Sequence, residues 1–271
     1  MALLYEPFYN EVKLWQKIKD TNAKRVLLYF WHGVGDLIMF LEPYRKLREL
    51  LPDVHFDLGI VKGIGQEEIV PDAIGFSGDT DLDKMDYDMV SKIHFPMSEG
   101  QEKYTKGEFC CIHELGIEPV CGHTIGPCPT ETRIISVHYN ITCLPASCNP
   151  DEETARKIWD EIRSAGYIPI ESHFEHTFHN PVNKKFDFVD ATVRRCKARI
   201  STLAALLKSS RAFIGVVSGN FHTALSVLPS TNILLLEKDF TAPMFTKLPV
   251  GRCDIKNYKE GSVSQWLTTL K

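Results

Sequence analysis

Apolar and polar positions follow one another along the chain in the rhythm of short buried strands and amphipathic helices. Apolar residues at positions 37, 40, 41, 44, 47, 50 and 51 recur at helical spacing, and the run at 24–30 is continuously apolar after its first two residues. The elements predicted for the first half are strands at 24–30, 54–61 and 87–93 and helices at 9–18 and 37–51. Strand, helix and strand in this order predict parallel pairing.

The same rhythm restarts in the second half. Its predicted elements are strands at 133–138, 167–170, 211–216 and 232–236 and helices at 151–165, 201–208, 219–228 and 262–270. Between them, residues 96–131 are rich in Gly, Pro, Cys and His, with one predicted helix at 104–115. We therefore predict an α/β protein of two domains, 1–131 and 132–271.

Composition narrows the classes of protein that remain. With 271 residues, 44% of them hydrophobic, the chain can bury two cores without disulfide bonds. A net charge of −4 argues against a protein that coats nucleic acid or an acidic membrane. The basic run at 184–199 predicts a solvated face and leaves contact with phosphate or nucleic acid as an alternative. No apolar run has the length of a membrane span, and residues 1–8 lack a signal-peptide pattern, so we expect a cytoplasmic protein.

The first candidate site is a glycine-bearing turn between a predicted strand and the helix after it. Here His32, Gly33, Gly35 and Asp36 follow the strand at 24–30. Ligands of open parallel sheets bind where strands end and helices begin. An exposed Asp36 carboxylate there could take a proton from a hydroxyl group, whereas a purely structural interpretation makes Asp36 the N-cap of the helix.

The second candidate site is the corresponding turn of the second half, Ser218-Gly-Asn-Phe-His222. Its small residues would let an anion such as a diphosphate approach the backbone amides. The alternative is an ordinary strand-to-helix turn with a satisfied His222. Gly33-Val-Gly35 and Gly63-Ile-Gly65 lack the third glycine of the dinucleotide fingerprint, and no phosphate-loop motif occurs, which weakens the case for a dehydrogenase or a kinase.

Two blocks of sequence resemble a known family. The first, Gly33-Val-Gly-Asp-Leu-Ile-Met-Phe-Leu-Glu-Pro43, is similar to the N-terminal signature of the ADP-heptose:lipopolysaccharide heptosyltransferases, glycosyltransferase family 9. The second, 200–228, is similar to the C-terminal signature of that family, and residues 134–159 match the start of its second domain more loosely. Val217 stands where the family has Asp, and residues 138–142 lack the Lys of many members.

The resemblance implies a GT-B fold, in which two Rossmann-like domains with parallel sheets face a central cleft. The first domain would hold a carbohydrate or other hydroxyl acceptor, and the second a nucleotide-diphosphate sugar, with an ADP-sugar as the expected donor. It implies an inverting transfer of a heptose or hexose that needs no metal or other cofactor. It assigns Asp36 as general base and His32, Gly33 and Gly35 to the acceptor side, and it places the donor against Ser218, Gly219, Asn220, His222, Tyr139, Asn140, Thr142 and Glu237.

Cysteine and histidine usage leaves other functions open. Six of the eight cysteines lie between residues 110 and 148, at positions 110, 111, 121, 128, 143 and 148. Their spacings match no strong zinc pattern, so reduced thiols are expected, with a bound metal as the alternative. His173, His176 and His179 predict a half-exposed loop rather than a metal site. The competing functions are a non-catalytic GT-B-like binding module with a Cys-rich metal site, and a glycosyltransferase that acts on protein or nucleic acid.

Overall fold

The chain folds into two α/β units, residues 1–123 and 124–271. The computed structural model describes residues 2–78, 82–95, 104–120, 132–140, 148–174, 186–190, 192–195, 200–238 and 248–270. The domain boundary that the sequence predicts, at residue 131, falls outside these ranges and stays a prediction.

Unit 1 is built on a five-stranded sheet in which every neighbouring pair is parallel. Its strands are β1 (Leu3–Tyr5), β2 (Arg25–Phe30), β3 (His55–Val61), β4 (Ile74–Phe76) and β5 (Met89–Ile93), in the order β1-β5-β2-β3-β4. Its helices are α1 (Leu14–Thr21), α2 (Val34–Leu50) and α3 (Lys106–Cys110).

Unit 2 is built on a six-stranded sheet that is also parallel throughout. Its strands are β6 (Ile134–His138), β7 (Ile168–Phe174), β8 (Thr192–Arg195), β9 (Ala212–Gly215), β10 (Ile233–Glu237) and β11 (Gly251–Asp254), in the order β11-β10-β9-β6-β7-β8. Its helices are α4 (Glu152–Ser164), α5 (Ile200–Lys208), α6 (Gly219–Val227) and α7 (Ser262–Leu267).

Aromatic packing joins β2 to α2 at the point where the first site begins. The rings of Phe30 and Phe40 stack with centroids 4.9 Å apart, and Phe95 meets Phe30 edge-on at 5.7 Å. All three side chains are buried. Removal of a buried phenyl ring costs about 3–5 kcal/mol, so this contact fixes the start of α2 against the end of the strand.

The structure differs from the sequence prediction at the ends of elements and in four short edge strands, β1, β4, β8 and β11, that were not predicted. The first helix begins at Leu14 instead of residue 9, because Pro7–Tyr9 form a separate 3-10 turn. Helix α2 begins at Val34, three residues before the predicted start, with Gly33 as its N-cap. Helix α3 continues into a π-helical turn, Cys111–Leu115.

Strand order identifies one switch point in each sheet. In unit 2, β7 and β8 extend the sheet to one side of β6, whereas β9, β10 and β11 extend it to the other, which is the 3-2-1-4-5-6 order of a doubly wound fold. In unit 1 the same reversal occurs between β2 and β5. Ligands of such sheets bind beyond the carboxyl ends of the strands at the reversal. Both glycine-bearing turns lie there.

Among the helices of the described ranges, none combines the length and the apolar character that crossing a bilayer requires.

Candidate functional site

The switch point of unit 1 carries Asp36 in the first turn of α2. Gly33 caps this helix through its backbone conformation and offers no side chain, so Asp36 is the third helical residue and the N-cap interpretation of Asp36 is wrong. Its Oδ1 lies 2.6 Å from the ammonium nitrogen of Lys106 at the start of α3. The side chain of Asp36 is 25% exposed and that of Lys106 is 7% exposed. A carboxylate in this position is also favoured by the helix dipole.

His32 lies beside Asp36 as a neutral ring. Burial lowers the pKa of its imidazole to about 4, although the nearby Asp36 carboxylate acts in the opposite direction. Within the part of the chain that the structure describes, its Nε2 atom is buried and makes no hydrogen bond. Buried polar atoms are seldom left unpaired, so the ring can hydrogen-bond a ligand or a water at this position.

Gln66 holds the turn that carries His32 and Gly33. Its side-chain nitrogen donates to the His32 carbonyl at 2.6 Å, while its Oε1 accepts from the amide of Val61 at the end of β3. Gly35 lies just inside α2, one residue before Asp36. Gln66 was not predicted as a site residue, because its partners are supplied by two other segments.

Glu114 holds the end of β5 next to the same site. This buried carboxylate accepts the amides of His94 at 2.8 Å and Phe95 at 2.7 Å. Burial raises its pKa to about 7, against the opposing effect of the two amides. Phe95 has a positive φ of 45°, a backbone strain that this double hydrogen bond helps to maintain.

The switch point of unit 2 carries the start of α6. Ser218 is the N-cap, and its hydroxyl oxygen accepts from the amide of Phe221 at 3.3 Å. The amides of Gly219 and Asn220, the first two of the helix, have no acceptor among the described residues, as expected for a helix start. Free amides at the positive end of the helix dipole form an anion site.

A buried polar network fixes this helix start to the neighbouring strands. Asn220 donates through Nδ2 to the Ser172 hydroxyl at 2.9 Å, and His138 Nδ1 lies 2.6 Å from the Ser172 carbonyl. Because a carbonyl only accepts, His138 carries its proton on Nδ1. Ser172 and His138 were not predicted as site residues, since only the parallel pairing of β6 with β7 brings them together.

The other residues predicted for the donor side have different environments. Asn140, which follows β6, is 5% exposed, and its Nδ2 makes no hydrogen bond within the described ranges. Tyr139 is fully buried and donates its hydroxyl to the Ala155 carbonyl at 3.1 Å, so its side chain is committed to the core. Glu237 ends β10 and pairs with Arg252 at 2.5 Å. His222 is buried in the first turn of α6, and Thr142 lies outside the described residues.

Asp-x-Asp spacing occurs at 79–83 and at 86–88. Two carboxylates in this spacing are candidates for holding a metal ion on a diphosphate. Asp86 pairs with Arg25 at 2.7 Å, and Asp88 accepts the amides of Lys24 and Arg25. These contacts lie where β2 and β5 begin, at the opposite end of the sheet from Asp36. This pair therefore anchors the sheet and is not part of the candidate site.

The described part of the Cys-rich segment contains packed thiols. Cys110 and Cys111 are buried, and burial raises the pKa of both thiols, that of Cys111 to about 11, which disfavours the thiolate that metals bind. No group of three His, Cys, Asp or Glu side chains able to hold a metal occurs among the described residues. Cys121, Cys128 and Cys143 lie outside them, as do His176 and His179, so the metal hypothesis stays a prediction.

Solved structures with the same fold are glycosyltransferases. The heptosyltransferase TibC of enterotoxigenic E. coli, an iron-containing dodecamer in complex with ADP-D-β-D-heptose, matches 85% of this chain at 13% identity with a TM-score of 0.60. The chain spans only 62% of the length of TibC. E. coli WaaC with ADP-2-deoxy-2-fluoro heptose matches 90% of this chain and 99% of its own at 12% identity, TM-score 0.58. The glycosyltransferase family 9 protein of Veillonella parvula matches 91% and 95% at 13% identity, TM-score 0.57.

These similarities define the class of fold. No family model matches the chain, and no curated protein matches it in sequence. The chain has the α/β GT-B fold of the heptosyltransferases, with one parallel sheet in each unit. The fold implied by the two sequence blocks is thus confirmed, while the roles of individual residues stay predictions.

Proposed function

We propose that the chain is an inverting glycosyltransferase that moves a sugar from a nucleotide-diphosphate donor to a hydroxyl acceptor without a metal ion. One observation carries the proposal. Each sheet has chemistry at its switch point, a carboxylate at the start of α2 and free amides at the start of α6. The heptosyltransferase-like fold supports the assignment of these two points to acceptor and donor.

The donor diphosphate is assigned to the start of α6. The amides of Gly219 and Asn220 would hydrogen-bond its oxygens, and the helix dipole would stabilise the charge of the leaving group. The buried side-chain amide of Asn140 would donate a further hydrogen bond to the diphosphate. An ADP-sugar is the first donor to test, because the TibC and WaaC structures contain ADP-heptose and ADP-2-deoxy-2-fluoro heptose.

The acceptor is assigned to unit 1. Asp36 would take the proton of the acceptor hydroxyl as its oxygen bonds to the anomeric carbon, while the bond from that carbon to the diphosphate breaks and its electron pair leaves with the nucleotide. Attack opposite the leaving group inverts the anomeric centre. The unpaired Nε2 of His32 is placed to orient the same acceptor.

Calorimetry with ADP-, UDP- and GDP-sugars tests the donor assignment. We expect binding of at least one of them, in the absence of added metal and in the presence of a chelator. Failure of all three to bind would falsify the proposal. Binding that requires a divalent ion would retain the transferase and remove its metal independence.

Substitution of Asp36 by Asn tests the base. We expect nucleotide release from the bound donor to fall about 10²–10⁴-fold while donor affinity stays within a factor of two. The exposed Asp53, just beyond α2, provides the matched control, Asp53→Asn, with unchanged turnover. Thermal unfolding accompanies both assays, because Asp36→Asn leaves the buried Lys106 without its carboxylate partner. Full activity of Asp36→Asn would reduce Asp36 to a structural role.

One observation favours a second function. The buried Val217 stands in the donor turn where the resembled family has Asp, so this position offers no carboxylate to a donor sugar. A binding module that kept the fold and lost catalysis would fit it. Stoichiometric zinc or iron by elemental analysis, together with nucleotide binding but no nucleotide release, would favour that module over the enzyme. Nucleotide release that depends on a protein or nucleic-acid acceptor would instead identify the acceptor class.

A further inference from the structure

Lys106 is a buried lysine in an unfavourable position. It is the first residue of α3, whose start is fixed independently by the capping box of Thr105 and Glu108. A cation at a helix N-terminus is disfavoured by the dipole, and lysine is rarely buried without a partner. The side chain is nevertheless 7% exposed. Some other interaction must offset these two costs.

That interaction is the ion pair with Asp36. The ammonium nitrogen lies 2.6 Å from Oδ1, and it also lies 5.4 Å from the centroid of the Phe95 ring. The pair joins two elements 70 residues apart in sequence, since α2 and α3 pack together. The other carboxylate oxygen of Asp36, Oδ2, lies near Gly33. A β-carbon added to that glycine would be 3.9 Å from Oδ2. One oxygen is held and the other faces a residue without a side chain.

We propose that Lys106 is a positioning residue for the base of the glycosyl transfer, an inference that rests on the proposed function. The ammonium group holds Oδ1, and this directs Oδ2 toward the acceptor hydroxyl. The acceptor proton passes to Oδ2 as the new bond to the anomeric carbon forms and the diphosphate leaves with its electron pair. Lys106 keeps its own protons throughout.

The surrounding titratable groups leave this pair as the main charge interaction of Asp36. His32 interacts with Asp36, and it stays neutral above pH 5 because burial lowers its pKa to about 4. His94 faces away to Glu6, with its Nε2 atom 2.9 Å from that carboxylate. Glu114 is engaged by the amides of His94 and Phe95. A change in kcat on removal of Lys106 therefore reports on the contact between Lys106 and Asp36.

The test compares Lys106→Met with Lys106→Arg and with the exposed control Lys157→Met, whose ammonium pairs only at the surface of α4 with Glu153. The readout is nucleotide release from the donor that binds most tightly in calorimetry, with water as acceptor. We expect Lys106→Met to lower kcat about 10–100-fold with little change in KM, because the reacting carboxylate is no longer held in place. Lys106→Arg should recover at least a third of the decrease in log kcat that Lys106→Met causes. Lys157→Met should have the kcat of the wild type.

Separate outcomes bear on the inference and on the function. An unchanged kcat in Lys106→Met, measured beside an active wild type, overturns the positioning role and leaves the transferase intact. Absence of wild-type nucleotide release from ADP-, UDP- and GDP-sugars, with water and with carbohydrate, protein and nucleic-acid acceptors, overturns both. If Lys106→Met does not fold, Lys106→Gln, which keeps a hydrogen-bond donor without the charge, must show a loss of kcat with little change in KM.

Discussion

Asn140 combines a cost to the fold with a proposed role in donor binding. Its side chain is 5% exposed, and its Nδ2 atom has no hydrogen-bond partner among the described residues. An unsatisfied buried polar group costs about 1–3 kcal/mol. A ligand that accepts a hydrogen bond from this amide would remove the penalty on binding, which gives the residue a function in a position where a core would favour an apolar side chain.

Substitution of Asn140 by Leu should therefore separate stability from binding. We expect the ligand-free protein to be as stable as the wild type or slightly more stable, because the unpaired amide is replaced by a side chain of similar size. Affinity for the ADP-sugar should fall about tenfold or more. Thermal unfolding and calorimetry measure the two effects. A clear loss of stability with unchanged affinity would show that Asn140 has a structural partner instead.

Local sequence identified some site residues and could not identify others. Asp36 and Ser218 lie in glycine-bearing turns that are each contained in one short stretch of sequence. The structure places both turns at switch points. The partners Lys106 and Ser172 lie 70 and 48 residues from Asp36 and Asn220. No local pattern encodes a pairing across that distance. The cap of α2 was mispredicted because Gly33 can cap without a side chain, so a favourable residue nearby does not settle which position begins the helix.

The π-helical turn Cys111–Leu115 is the element that ties the end of β5 to α3. It carries Glu114, whose carboxylate accepts the amides of His94 and Phe95, while Lys106 on the adjoining α3 pairs with Asp36. A single short helical segment thus contacts both the strand end and the helix start that form the switch point of unit 1. We infer that the charge state of Glu114 affects the stability of this region.

The stability of the fold is expected to depend on pH through Glu114 and His32, which act in opposite directions. The pKa of Glu114 is raised from 4.5 to about 7 by burial, so between these values the folded state holds a proton that the unfolded state has lost. Its contribution to stability is complete below pH 4.5 and is lost as the pH rises through 7. The pKa of His32 is lowered from 6.5 to about 4 by burial, so its contribution is present above pH 6.5 and is lost as the pH falls through 4.

Substitution of Glu114 by Gln should remove the pH dependence of stability that Glu114 causes and leave the one that His32 causes. We expect Glu114→Gln to be most destabilising relative to the wild type at pH 4.5 and progressively less so toward pH 8, where the wild-type carboxylate is ionised in a buried site. Denaturant unfolding at several pH values gives this difference directly. His32→Gln serves as the opposing control, with its deficit growing toward high pH. A Glu114→Gln deficit independent of pH would contradict the assignment.

Helices and strands were predicted correctly where they are long enough to show a periodic pattern of apolar residues. The central strands β2, β3, β5, β6, β9 and β10 and the helices α2, α4, α5 and α6 were predicted to within a few residues. The missed strands β1, β4, β8 and β11 have three or four residues each and lie at or beside the edges of the sheets. So short a strand contains at most two alternations of side chains, and its pairing is decided by the neighbouring strand.

At the scale of the whole molecule, two sheets of related order carry two different chemistries. The sequence predicted both α/β units and their parallel sheets, because each half repeats the strand, turn and helix pattern. The net charge of −4 is compatible with a diphosphate site built from amides, which needs no cationic surface. If donor binding is confined to unit 2, its energetic effect should be confined there as well.

Hydrogen exchange in the presence of ADP tests this division. A ligand at 100 times its dissociation constant stabilises the unit that binds it by about 2.7 kcal/mol. We therefore expect slower exchange in β6, β9 and the first turn of α6, and little change in β2, β5 and α2. Asp36→Asn should keep this protection, because it alters only the acceptor side, whereas Asn140→Leu should weaken it. Protection that is strongest in unit 1, or equal in both units, would mean that the nucleotide binds elsewhere and that the proposed roles of the two switch points are wrong.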